Sequence, residues 1–145
     1  MITVDEMMTA DIRTLSPRDT LADAQAMMAK YNCHHVPITV NKAQLVGLVS
    51  QRDVLRIAES RLSADGPQII PGELPIAEFM TSDVFSVHPK TSLRKAAIYI
   101  RSQQYGCLPV VEGDTLVGII TDSDFVNIAI DLLEQIEEAD PVGQD

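Results

Sequence analysis

Four things are scarce in this sequence, and each scarcity removes a class of function. No apolar run approaches the roughly 20 residues needed to cross a bilayer, so no membrane helix is expected. The opening residues Met1-Ile2-Thr3-Val4-Asp5-Glu6 lack a basic stretch followed by an apolar core, which argues against an export signal and for a soluble, cytoplasmic protein. Basic residues are few: 11 Lys and Arg stand against 21 Asp and Glu, for a net charge of -10. That balance opposes nucleic acid, where binding rests on neutralising phosphates. Cysteine is limited to Cys33 and Cys107, with no CxxC partner, which fits free thiols in a reducing compartment better than a disulfide scaffold. With three histidines and no GxSxG, P-loop, zinc or Ser-His-Asp pattern, an enzyme is disfavoured.

What the sequence does have is one stretch written twice. Leu45-Val46-Gly47-Leu48-Val49-Ser50-Gln51-Arg52-Asp53 returns as Leu116-Val117-Gly118-Ile119-Ile120-Thr121-Asp122-Ser123-Asp124. Laying Met8 on Met80, an offset of 72, also sets Thr9 on Thr81, Asp11 on Asp83, Pro17 on Pro89, Leu21 on Leu93, Ala24 on Ala96 and Pro37 on Pro109. After Pro37 the offset falls to 71, so the first copy has one more residue in the turn at 40–44 than the second has at 112–115. Length differences of this kind belong in hairpin turns.

Each copy reads strand, helix, strand, strand, helix. The apolar runs 12–15 and 84–87, stopped by Pro17 and Pro89, are predicted as short first strands. Helices follow, with Leu21, Ala24, Met28 and Tyr31 on one apolar face and Leu93, Ala96, Ala97 and Ile100 on the other, both at three-to-four spacing. Thr20 with Asp23 offers the first a capping box, while Ser92 caps the second without an acidic partner. Runs 36–40 and 45–49, then 108–111 and 116–120, are predicted strand pairs, and a last helix starts after Ser50 or Thr121. The expected organisation is a first repeat over 1–60, a Pro- and Gly-rich linker over 61–75, a second repeat over 76–131 and an acidic tail over 132–145. Packed about a pseudo-twofold axis, the two halves should share one core. The tail helix, 125–138, should dock through Leu132 along the face of Ile128, Leu132 and Ile136 and fray beyond Glu138.

The doubled stretch ends each time on a hydroxyl residue with an aspartate three positions later. The plain reading is a capping box, the hydroxyl serving one helix N–H and the carboxylate reaching back to the cap. The same corner also sets a hydroxyl, an aspartate and unpaired helix N–H groups together, where the dipole favours anions. The copies differ in charge there. His34, His35, Arg52 and Arg56 surround the first corner, where the second has Gly106, Cys107, Ser123 and Asn127. The first is therefore better suited to a phosphate chain. Asp122 adds a negative charge beside Thr121, which favours an adenosine-like or cationic sulfonium ligand at the second corner. Adjacent residues of extended chain point to opposite faces, so at most one of His34 and His35 should meet a ligand directly. Cys33, His34 and His35 cannot converge on one metal ion, and Met7, Met8, Met27 and Met28 read as core filling.

These motifs, MT-x-D-[IV], the L-x-x-A helix, Val36-Pro37-Ile38 with Leu108-Pro109-Val110, and the G-h-h-[ST]-x-x-D corner, in one order and twice, make the chain resemble a pair of cystathionine-β-synthase (CBS) domains from Val4 to about Ile130. The resemblance implies an α+β fold of two βαββα repeats packed as a pseudosymmetric pair. It implies two clefts for adenosyl compounds (AMP, ADP, ATP, S-adenosylmethionine or NAD), a tendency to dimerise, and neither catalysis nor a required cofactor. By the same resemblance, Asp53 and Asp124 hold ribose hydroxyls, with Ser50 and Thr121 beside ribose or phosphate. Adenine lies between the hairpin of one copy and the first strand of the other. Cleft A would then comprise Ser50, Arg52, Asp53, His34, His35, Val36, Pro37, Thr81 and Val84, and cleft B Thr121, Asp124, Gly106, Cys107, Leu108, Pro109, Thr9 and Ile12. Val84, Ile12, Pro37 and Pro109 would also suit an ordinary core.

The function expected is a regulatory sensor that binds an adenine nucleotide and signals to a protein target through a dimer or the acidic tail. A ligand-free dimerisation module, or an S-adenosylmethionine or NAD sensor, is the alternative. Apolar positions Ile57, Tyr99, Ile130 and Leu133 are expected to be free to meet a second copy.

Overall fold

A computed structural model of the chain describes residues 1–62, 70–103 and 105–139. Its elements run α1 (Val4–Met7), α2 (Leu21–Tyr31), β1 (His35–Val40), β2 (Gln44–Ser50), α3 (Gln51–Leu62), α4 (Leu93–Gln103), β3 (Cys107–Glu112), β4 (Thr115–Thr121) and α5 (Asp122–Ala139). Two 3-10 turns, Pro71–Glu73 and Ile76–Glu78, lead into the second half. Most of the expected linker, 63–69, and the tail end, 140–145, lie outside the described residues. Among the described residues no helix is long and apolar enough to cross a membrane.

Local chemistry sets the helix starts. At α2 the Thr20 N–H donates to Asp23 Oδ2 at 2.9 Å and the Asp23 N–H to Thr20 Oγ1 at 3.3 Å, a reciprocal cap. At α4 the Lys95 N–H donates to Ser92 Oγ at 3.1 Å. α2 ends at Asn32, whose φ of 51 is left-handed, a conformation that asparagine tolerates better than most residues.

Two antiparallel hairpins, β1–β2 and β3–β4, lie edge to edge as one four-stranded sheet of order β1-β2-β4-β3. The seam is slight: β2 and β4 pair at Gln44–Thr115. There the Leu45 N–H donates to Asp114 O at 3.1 Å and the Leu116 N–H to Ala43 O at 2.8 Å.

The halves are joined more firmly by exchange. The Val4 and Asp5 N–H groups donate to Thr91 and Pro89 carbonyls, while those of Ile76 and Ala77 donate to Asp19 and Pro17. Each bond has its counterpart at the repeat offset, which is the pseudo-twofold relation in hydrogen-bond form. The apolar consequence is that Ile76, from the second repeat, is fully buried in the first core with Leu21, Ala24, Met28, Val36, Ile38, Val49 and Val54. Val4, from the first repeat, is fully buried in the second core with Val87, Leu93, Ala96, Leu108, Val110 and Ile120. Burial of each such side chain contributes about 1.5–3 kcal/mol.

Four expectations are corrected. There are two cores, not one, because each hairpin packs on its own helix and the seam brings few apolar side chains between them. The first strands shrink to single bridges, Leu15 with Ile38 and Val87 with Val110. Pro37 and Pro109 cannot donate, so the Leu15 and Val87 N–H groups reach their carbonyls and the ladder goes no further. Ile57 and Tyr99 pack against the two cores instead of standing free, and Tyr31 is exposed with the Arg13 guanidinium 3.9 Å from its ring centre. Finally, Leu132 does not dock. It is 53% exposed, with Leu133 at 57% and Ile136 at 63%, because α5 is 18 residues long and spans about 27 Å. Phe125 and Ile128 reach the second core, and the helix outruns it beyond that point.

The repeated glycine has a steric reason. A Cβ on Gly47 would collide with Met80 Sδ and press on the Thr81 carbonyl, and one on Gly118 would do the same to Met8 and Thr9. These are the exchanged segments, so the glycines admit the partner repeat's methionines. Gly47→Ala is expected to lower stability by about 1–3 kcal/mol through overpacking, measured as an earlier urea midpoint. An unchanged midpoint would remove this role.

Candidate functional site

The two corners form as capping boxes. The Ser50 N–H donates to Asp53 Oδ2 at 3.2 Å and the Asp53 N–H to Ser50 Oγ at 3.1 Å. At the second, the Thr121 N–H donates to Asp124 Oδ2 at 2.9 Å and the Asp124 N–H to Thr121 Oγ1 at 3.3 Å. In both, Oδ2 serves the cap and Oδ1 turns elsewhere. Asp53 Oδ1 takes the Arg56 guanidinium at 3.2 Å, and Asp124 Oδ1 accepts from Thr9 Oγ1 at 3.4 Å. The Arg56 pair is solvent-exposed on the arginine side, the kind of pair worth little to stability and easily exchanged.

Beside the first corner opens a cleft of about 830 Å3 walled by His34, His35, Ser50, Gln51, Arg52, Leu55, Arg56 and Glu59 from the first repeat, and by Ile100, Tyr105, Gly106 and Asp122 from the second. Its volume suits a nucleotide-sized ligand. Two imidazoles and two guanidiniums meet there against the carboxylates of Glu59 and Asp122. Tyr105 belongs to an aromatic cluster, stacked on Phe85 at 5.3 Å between ring centres, with Phe85 edge-on to Tyr99 at 4.9 Å.

His35 sits at the repeat boundary. Its Nε2 lies 2.8 Å from where a Gly106 Cβ would stand, and Asp122 Oδ2 lies 3.9 Å from the same point. Burial pushes the imidazole below its ordinary pKa, and neighbouring His34 adds to this, while the Asp122 and Asp53 carboxylates pull the other way. Cys107, the counterpart of His35 in the second repeat, is buried, and its thiol is pushed up to about 12 by burial and then by the Asp124 and Asp122 charges. It is an inert core residue at neutral pH.

The expected residues are thus partly assembled. His34, His35, Ser50 and Arg52 wall the cleft, with Asp53 at its corner. Thr81 is brought across as the repeat exchange requires, exchanging backbone bonds of 3.0 Å with Leu48. Thr9 does the same with Ile119, at 2.8 and 2.9 Å, and touches Asp124. Other positions are placed differently. The side chains of Val36, Pro37, Cys107, Leu108 and Pro109 are buried in the cores, so a ligand beside them would meet main chain unless the packing opened. Ile12 lines a separate cavity of about 220 Å3 with Thr14, Thr39, Lys42 and Val117. Val84 is half-buried and is not part of the large cleft's wall. Of the second corner's residues, Gly106 and Asp122 reach the large cleft; Thr121 and Asp124 are not in its wall. At most one of the two histidines was expected to meet a ligand directly; both line the cleft, His35 opening β1 just after a bend at His34. Four wall residues were missed: Leu55 and Glu59 share the α3 face of Arg52 and Arg56, a helical spacing that could have found them, whereas Tyr105 and Ile100 reach the cleft only through the packing of the second repeat.

Comparison with known proteins agrees with this architecture. The sequence matches the CBS domain family twice, at residues 4–60 and 76–131. Among solved structures, a Vibrio cholerae protein provisionally named as an acetoin utilization protein (AcuB) is 48% identical, with a TM-score of 0.86, over 94% of this chain and 98% of that one. The CBS domain-containing protein YhcV of Bacillus subtilis is 31% identical over 86% of this chain and 83% of its own length. By contrast, the chain spans 24% of a similar homoserine O-acetyltransferase from Methanohalophilus mahii, at 28% identity over 89% of this chain. The same fold, at 23% identity and a TM-score of 0.77 over 91% of this chain and 98% of that one, is found in CBSX2 crystallised with AMP. It recurs at 22% identity and a TM-score of 0.75, over 88% and 95%, in the CBS pair of MJ0100 with 5'-methylthioadenosine and S-adenosyl-L-methionine. Repeat, corner and exchanged segments together make this chain a member of the CBS domain family.

Proposed function

We propose that this protein is a non-catalytic sensor of an adenine nucleotide, AMP, ADP or ATP, bound at the Asp53 corner with its phosphates towards His34, His35, Arg52 and Arg56 in the cleft. The observation that carries the reading is the convergence of His34, His35, Arg52 and Arg56 on one cleft of nucleotide size beside a capped carboxylate. The complexes of CBSX2 with AMP and of MJ0100 with two adenosyl compounds support the ligand class. Asp53 Oδ1 would exchange Arg56 for the ribose hydroxyls while Oδ2 keeps the cap, and Arg56 would turn to phosphate. The second corner, with Asp122 and buried Cys107, suits an adenosyl ligand of little negative charge. Signalling to a protein target would follow from the exposed apolar face that α3 and α5 present through Leu55, Val126, Ile130 and Leu133. A C2 homodimer, the commonest closed oligomer, would cover it.

Calorimetric titration of AMP and S-adenosylmethionine tests the corners. Asp53→Asn keeps an acceptor for the cap but loses the ionised acceptor, and is expected to weaken AMP binding roughly 10- to 100-fold with little change in melting. Asp124→Asn should affect chiefly the sulfonium ligand. Unchanged affinities with both variants destabilised would reduce the corners to helix caps, and the absence of binding by any adenosyl ligand would leave a dimerisation module.

Assembly is tested separately by light scattering. The chain should be dimeric at micromolar concentration, and Leu55→Asp combined with Ile130→Asp should be monomeric. A monomeric wild type would leave this apolar face without its proposed occupant.

A further inference from the structure

We propose that His35 and Asp122, brought together across the repeat boundary, set the ligand charge that the cleft accepts, a dianionic phosphate being held with uptake of a proton by His35. This deepens the nucleotide reading above and rests on it.

The pairing is one-sided. Gly106 stands where the first repeat has His34, and its missing side chain lets the His35 ring lie over it. Cys107 stands where the first repeat has His35, so one imidazole, not two, occupies the boundary. The groups around it nearly balance. His34 belongs to the preceding residue, Arg52, Arg56 and Glu59 come from α3, Asp53 from its corner, and Asp122 and Tyr105 from the second repeat. Arg56 is held by Asp53 at 3.2 Å. A phosphate dianion entering this balance adds a second negative centre beside Asp122, and His35 is the neighbouring group able to change charge in response.

Burial disfavours the charged form of the His35 ring, and a phosphate nearby favours it. Protonation of the bound form above that of the free form means that affinity rises as pH falls. A one-unit rise in the His35 pKa on binding limits the gain to about tenfold. An uncharged adenosine produces no such shift.

The experiment titrates AMP and adenosine at pH 8 and pH 6.5, above the second ionisation of a phosphate monoester near pH ~6, in buffers of different ionisation heat. AMP binding should tighten about two- to fourfold between these pH values with net proton uptake, and adenosine should not change. His35→Gln should flatten the AMP dependence, and His34→Gln should retain the slope. Asp122→Asn should tighten AMP several-fold at both pH values. NMR titration of the wild-type imidazoles, which needs no variant, should show the His35 pKa rising when AMP is added. A flat wild-type profile, the same slope in His35→Gln, or an unmoved His35 resonance overturns the proposal while leaving the nucleotide reading intact. Failure of AMP to bind at either pH overturns both.

Discussion

The structure depends on an exchange of short segments between its two repeats. Val4 closes the second core and Ile76 the first, and paired backbone bonds to Thr91 and Asp19 hold them there. The sheet seam, one residue pair and two flanking bonds, could not align the halves by itself. Because folded domains are stable by only about 5–15 kcal/mol, losing either buried segment would remove a large part of the total. The same exchange sets Thr9 and Thr81 beside the strands that lead into the opposite corners.

Symmetry of backbone with asymmetry of charge is the second theme. Both corners spend one carboxylate oxygen on the helix start and aim the other outward. What that second oxygen meets differs: an exposed guanidinium in one half, a threonine hydroxyl in the other. The corner geometry is present twice, and His34, His35, Arg52 and Arg56 stand in one copy where the other has Gly106, Cys107, Ser123 and Asn127. The large cleft is consequently built by residues of both repeats but charged mainly by the first.

Much of this was legible in the sequence because it is periodic or local. The caps at Thr20, Ser92, Ser50 and Thr121 depend on contacts three residues apart, and the strand pairs follow β-branched runs. The cross-placement of Thr9 and Thr81 came from the family resemblance. What could not be read has a common physical character. Pro37 and Pro109 shortened the first strands by withholding a donor, a tertiary effect invisible in the partner run at 12–15 or 84–87. Leu132 looked like a docking residue because helical spacing does not report where the supporting core stops. Tyr105 and Ile100 enter the cleft through the relative placement of two halves, for which a single repeat contains no record. The family resemblance assigned Val36 and Leu108 to a ligand, and their side chains are buried, so a ligand beside them would meet main chain.

The exchange also dictates an order of events during synthesis. Val4 is made long before Thr91, the carbonyl that receives its N–H. The first repeat's hairpin and α2 can associate early, but their core stays open until Ile76 arrives, and α1 has no core to enter until α4 and the β3–β4 hairpin exist. Contacts so distant in sequence close slowly, because chain entropy must be lost before they are made. The earliest helix of the chain is therefore among the last to be seated, and during that interval Val4 and its neighbours are carried as an exposed apolar end.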